Sequence, residues 1–296
     1  MRLGNRIRIA GFVLVAAALT SAQALSATTV GANELYAGWL KMYDLKFDDA
    51  HQIFRRWESS HPADPLGPCS EAAAYLFSEL ARLGVLESEL FVDDERFAAR
   101  KKLQPDPRLK GEFSNEVDKE EHLSQALLQR SPNDEHALLA ESLGWGLRAD
   151  YAALIEKSNL VSLSYTKHAR AYAEKLLAVD NRAFDAYLAP GVENYLLSLK
   201  PAPVRVVLRL TGSNVDRQKG LEELQKTASQ GLYLEPFAKV LLAVAALRDN
   251  NPGRAQALVE ELHRRFPDNP LYSRELRQIA ARRGTGSNAA NSEQQR

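Results

Sequence analysis

Residue types that perform chemistry are scattered along this chain without the spacings that build a site. The six histidines, His51, His61, His122, His136, His168 and His263, stand at no metal-ligand interval, and a structural site needs its ligands paired a few residues apart. We read them as structural or surface residues. Cys69 is the only cysteine, so no internal disulfide can form. It precedes a helix predicted from Ser70, a position that lowers a thiol pKa, but no basic partner adjoins it and a structural thiol is the reading adopted. Asp48-Asp49 and Asp93-Asp94 pair carboxylates as acid–base catalysis would. Both pairs open predicted helices, where they stabilise the positive end of the helix dipole. Nucleophile-elbow, phosphate-loop, zincin and C-x-x-C motifs do not occur. Gly284-Thr285-Gly286-Ser287 has no strand before it and reads as linker. Trp145 stands between Gly144 and Gly146, which we read as close helix packing ahead of a ligand gap.

Composition narrows the classes further. Lys plus Arg equals Asp plus Glu at 38 each, so nothing suggests a long-range field for nucleic acid or for an anionic membrane. At the start, Arg2, Arg6 and Arg8 precede an apolar run from Ile9 to Leu19. That run has secretory-signal length, about a dozen residues, and falls short of the roughly twenty that span a bilayer. Small residues follow, with A-x-A-like cleavage options after Ala24 or Ala27. The expectation is a signal peptide over 1–24 and an exported, periplasmic or secreted protein held together by its apolar core.

The elements that must position any site repeat along the chain. Ala50, Phe54, Trp57 and Pro62 form a pattern of a small residue, an apolar residue one turn on, another after it, and then a turn. The pattern returns as Ala169, Ala173, Leu176 and Asp180-Asn181, and again as Ala255, Val259, Leu262 and Pro267. Preceded by the apolar stripe Tyr36, Trp39, Leu40 and Tyr43, the first copy predicts a helical hairpin over Leu35 to Pro65. Asn251-Pro252 and Ser213 with Asp216 are helix starts, and Gly231 is expected to stop a helix in the left-handed region. Phe237 to Leu247, apolar almost all round, predicts a helix buried between neighbours.

On these residues the chain resembles the tetratricopeptide repeat (TPR) family of helix-turn-helix units about 34 residues long. Gly38 stands at the close-approach position of a first helix, with Phe47, Ala50, Phe54 and Pro62 in the second. Ala186, Tyr187 and Gly191, and then Leu242, Ala243, Ala255 and Pro267, repeat parts of the pattern. The resemblance implies an all-α, right-handed, TPR-like solenoid of irregular repeats over 33–283. It also implies a groove lined by the first helix of each unit. By that logic Trp39, Tyr43, Tyr187, Asn194, Tyr195, Arg205 and Arg209 are candidate contacts for a protein or peptide partner, with no cofactor, metal or nucleic acid. Asn194 stands out, because a buried amide needs a hydrogen-bond partner and a bound peptide backbone could provide one.

Three stretches depart from the pattern. Residues 66–118 read as one helix, Glu71 to Leu83, followed by an irregular insertion. The interval from Glu135 to Val179 is too long for one unit, and an extra helix is predicted near Asp150 to Lys157. Pro190 predicts a kink. Val204 to Leu210 reads as a short helix, and 284–296 as a disordered polar tail. The implied function is a non-enzymatic binding or scaffolding module. The alternatives are a helical enzyme with its site near 190–209, or a structural subunit of an envelope complex.

Overall fold

The computed structural model describes residues 34–86, 102–200, 205 and 215–293, with side chains through residue 281. Among the described residues there are eleven α-helices and no strand. They are α1 (34–43), α2 (Phe47–Ser60), α3 (Leu66–Arg82), α4 (Pro107–Arg130), α5 (Glu135–Asp150) and α6 (Asn159–Val179). These are followed by α7 (Leu188–Ser198), α8 (Arg217–Gln230), α9 (Glu235–Arg248), α10 (Pro252–Arg265) and α11 (Pro270–Glu293). From α2 onward, each described helix packs on the next, including α3 on α4 and α7 on α8, between which part of the chain is not described. The helical-hairpin solenoid expected from the repeat is therefore present.

Short polar residues cap four of these helices. Asp106 accepts from the Arg108 and Leu109 N–H groups ahead of α4, Asp134 from Ala137 ahead of α5, and Asp216 from Lys219 ahead of α8. Asn251 accepts from Arg254 N–H, with Pro252 at the first helical position, as its sequence predicts. Asp48 and Asp49 occupy the first turn of α2. Gly38 is what lets α1 meet α2. A Cβ there would stand 2.2 Å from the Phe54 ring, so the ring packs directly on the α1 backbone.

Several expectations are corrected. α3 starts at Leu66 and so contains Cys69, which is buried in its first turn; burial pushes the thiol pKa up instead of down. Pro68 is accommodated there because the first N–H groups of a helix have no intrahelical acceptor. No separate helix forms near Asp150 to Lys157. A π-helical turn, Tyr151–Ile155, extends α5, and the surplus length makes one long hairpin with α6. Pro190 lies in the first turn of α7, where its missing N–H is harmless; the break it was expected to cause is a switch from 3₁₀ helix at Phe184–Tyr187 to α-helix.

Gly231 ends α8 with φ −62 and ψ 150, in extended geometry. Its role is space, since a Cβ would lie 2.7 Å from an Asp185 carboxylate oxygen. α11 runs on to Glu293, through most of the segment expected to be a tail. Once docked by Tyr272 and Ile279, a helix propagates with little further cost. Asp93-Asp94, Ser213 and all of Val204 to Leu210 except the helical Arg205 lie outside the described residues, as does the segment 1–33.

The array closes on itself. α1 and its following turn pack on the C-terminal helices as well as on α2. Trp39 lies 5.7 Å from the Tyr233 ring and Tyr43 lies 5.8 Å from Phe266. The largest apolar cluster accordingly joins Leu35, Trp39, Met42 and Phe54 to Val259, Leu262, Phe266 and Ile279.

Candidate apolar site at the closure seam

α1 ends in a two-bond cap: Lys46 N–H donates to Lys41 O at 2.9 Å and Leu45 N–H to Met42 O at 3.0 Å. Leu45 takes the left-handed conformation that this cap requires, φ 59, where glycine is usual. The cap turns the chain so that Met42, Tyr43 and Leu45 face α9 and α11. Two links fix the seam. The Tyr43 hydroxyl donates to Tyr233 O at 2.9 Å, and Asn269 Nδ2 donates to Tyr43 O at 2.8 Å. Burial pushes the Tyr43 phenol pKa up, which keeps it a donor. At the edge, Lys46 pairs with Asp44 and Asp268, and Arg265 with Glu235 and Tyr36.

Tyr233 is held in turn by Asp185. This carboxylate, 8% exposed, accepts the N–H groups of Leu232, Tyr233 and Leu234 at 3.1, 3.1 and 2.9 Å. Burial raises its pKa, while the three donors oppose that rise. The result is a fixed loop that opens α9 and presents Tyr233 to Trp39 and Tyr43.

Between these contacts the seam leaves an apolar cleft of about 110 Å3. Met42 and Tyr43 of α1, Phe77 of α3, Phe237, Val240, Val244 and Leu247 of α9, and Leu271 and Tyr272 of α11 line it. Phe77 and Phe237 meet edge to face, 5.7 Å apart at 84°. Asn269, Arg274, Glu275 and Gln278 form a polar rim. α9 is apolar almost all round because one side packs on α8 and α10 while the other faces this cleft. A dry apolar cavity of roughly 150 Å3 holds a benzene ring, so this smaller cleft suits one side chain of about valine or leucine size.

A second cleft, about 520 Å3 and polar, lies among α2, α3 and α4. Its two basic residues are paired: Arg55 with Glu71 and Tyr75, and Lys119 with Glu58 and Glu116. Among the described residues no group of three His, Cys, Asp or Glu side chains is arranged to hold a metal ion, and no helix is long and apolar enough to cross a membrane.

The contacts expected on a groove are mostly packing residues. Trp39 is 3% exposed, and its indole N–H donates to Ser70 Oγ at 2.9 Å. Asn194 is fully buried; its amide donates to Glu223 Oε2 at 2.9 Å, so its hydrogen-bond partner is internal. Tyr195 is buried beside Leu224, with Arg217 over its ring at 5.7 Å. Gly191 and Gly220 put this face against α8, because a Cβ on Gly220 would meet Tyr195 N at 2.6 Å. Tyr187 is half-buried, donates to Asn181 O and lies under the Lys226 ammonium. Arg205 donates to the carbonyls of Ser198 and Lys200, and Arg209 lies outside the described residues. Of the set, Tyr43 alone lines the apolar cleft. Phe77, Phe237, Val240 and Val244 were not among the expected contacts; the signal for three of them was the all-round apolarity of Phe237 to Leu247.

No protein-family model matches the chain, and no curated protein matches it. Among solved structures, the chain is similar to a thermophilic TPR protein of Thermus thermophilus. That similarity is 17% in identity, covers 85% of this chain and 99% of that one, and has a TM-score of 0.44.

Proposed function

We propose that this chain is a non-enzymatic binding or scaffolding module that captures a protein segment through the apolar cleft at its closure seam. One observation carries the reading: partly exposed apolar side chains of α3, α9 and α11 and of the turn after α1, among them Phe77, Phe237, Val240, Leu271 and Leu45, converge on a cleft sized for one side chain and rimmed by polar groups. Protein recognition concentrates its energy in such anchor pockets. The occupant is an apolar anchor residue on a peptide or on an exposed helix of the partner. We also propose that the protein is exported, on the basic and apolar residues of 1–24 with their small-residue cleavage options.

Affinity capture from the native envelope, compared between the wild-type chain and Val240→Glu, tests the binding reading. Val240 is partly exposed in the cleft, so a carboxylate there blocks an apolar anchor without emptying the core. Loss of the captured partner with an unchanged circular dichroism spectrum is expected. Retention of the partner by a folded Val240→Glu protein sinks the cleft as the site. N-terminal sequencing of envelope material should begin shortly after Ala24 or Ala27, and an intact Met1 there would overturn the signal peptide.

A further inference from the structure

Away from the cleft, the seam between α4 and α5 buries two carboxyl groups that no cation among the described residues pairs with. Glu120 on α4 and Glu141 on α5 are both 0% exposed. Glu120 Oε1 accepts the Ser124 hydroxyl at 2.8 Å, and Glu141 Oε2 accepts the Trp145 indole N–H at 3.0 Å. Glu120 Oε2 and Glu141 Oε1 are buried with no hydrogen-bond donor among the described residues. The Glu120 carboxyl packs directly on the α5 backbone, since a Cβ at Gly144 would fall 2.1 Å from its Oε2. Here the Gly144-Trp145 pair finds its purpose: the glycine admits one acid, and the tryptophan holds the other.

The cation nearest this seam is engaged elsewhere. Arg148 of α5 reaches Glu121 at 2.6 Å and Asp118 at 3.1 Å, and its Nη1 is buried without a partner. From α3 the seam meets the buried Cys69, and from α6 it meets Tyr172 and the more distant Lys175. The charge of Arg148 favours ionisation of both acids, and that of Lys175 favours ionisation of Glu141, but neither cation pairs with them. A buried carboxylate with one neutral donor and no paired counter-charge is strongly disfavoured, whereas the neutral acid is tolerated. We propose that the α4–α5 seam is a proton-dependent joint, held closed while Glu120 and Glu141 are neutral acids and loosened when they ionise.

Burial supports the same protonation state, raising Glu120 well above the usual carboxylate range and Glu141 to about 7. The sign follows. Acids whose folded-state pKa is raised favour the closed form fully below their unfolded pKa, and that contribution is lost as pH rises through the folded value.

Amide hydrogen exchange of the full chain at pH 6 and pH 9, corrected for intrinsic rates, tests the joint. Protection across 107–150 should fall by at least about tenfold more than protection across 235–265. Equal changes in the two regions would overturn the proposal. The Glu120→Gln/Glu141→Gln protein should lose the pH-dependent difference, and its persistence there would also overturn it. Should that variant fail to fold, carbon-13 carboxyl shifts of glutamate-labelled wild-type protein read the protonation state directly. Two glutamates still neutral at pH 6 and titrating near or above pH 7 are expected, whereas every glutamate titrating near its ordinary value would refute the joint.

Discussion

The Tyr43 hydroxyl hydrogen-bonds the main-chain carbonyl of Tyr233, 190 residues along the chain, at 2.9 Å. An open stack of hairpins has two free ends and only nearest-neighbour contacts. This contact joins the first hairpin to the loop before α9, so the first unit is held by the C-terminal half of the array as well as by its neighbour in sequence. Tyr43→Phe leaves the Tyr233 carbonyl buried and unsatisfied, and should lower stability by about 1–3 kcal/mol. Urea unfolding checks it: a single transition with a lower midpoint is expected, because closure makes the two ends one cooperative unit.

Two glycines should respond in opposite directions to the same substitution. Gly38→Ala drives a methyl group into the Phe54 ring and should destabilise by about 1–3 kcal/mol through overpacking. At Gly146 nothing lies within 4 Å of the added Cβ. There the gain in helix propensity should stabilise by roughly 0.5–1 kcal/mol. Thermal melts of the two variants separate them by sign, and a stabilised Gly38→Ala would refute the close approach of α1 and α2.

Asp185 holds the loop that brings Tyr233 to the closure. Asp185→Ala removes the acceptor for three main-chain N–H groups and should cost about 3 kcal/mol or more. Asp185→Asn keeps one acceptor oxygen and should cost less. Both should quench or shift Trp39 fluorescence if Tyr233 moves, which distinguishes loss of the loop from a general loss of stability.

How much of this was legible in the sequence depends on the range of the interaction. Local periodicity and caps show the hairpins, as Ala50, Phe54 and Trp57 on α2 and Asn251-Pro252 at the start of α10 illustrate. Gly38 was also legible, because its close approach is to the very next helix. Asp185 was not, and Gly231 was only in part: that it ends α8 was legible, the reason it is glycine was not. Their reasons are each other, 46 positions apart, and only the folded array brings a carboxylate to a loop whose glycine has ordinary φ. Asn194 was legible as an amide that would need a partner if buried; its Nδ2 finds one in Glu223 on another helix, while its Oδ1 is buried with no donor among the described residues. The cleft was half legible: the apolarity of Phe237 to Leu247 showed a helix with too many apolar faces, while the closure that leaves one of them open is a property of the two chain ends.

His136 at the start of α5 lies 3.6 Å from Asp64 in the α2–α3 turn. Asp64 also accepts from the Trp57 indole and from Leu66 N–H. The Asp64 carboxylate beside it holds the His136 pKa above its ordinary value. For Asp64, burial works against its hydrogen bonds, yet the net effect holds its carboxyl pKa below the usual range. The His136 contribution is fully present below the unfolded histidine pKa of about 6.5 and is lost as pH rises through its folded value. The Asp64 contribution has the opposite sense, being present above about 3.9 and lost as pH falls through its folded value. The pair therefore stabilises most between these limits, near pH 4 to 6.5. His136 is 58% exposed at its side chain, so solvent screening limits the effect to less than about 1 kcal/mol. His136→Gln should be less stable than the wild type at pH 5.5 and equal to it at pH 9, by urea unfolding at both. A deficit that persists unchanged at pH 9 would show that His136 acts by packing and not by charge.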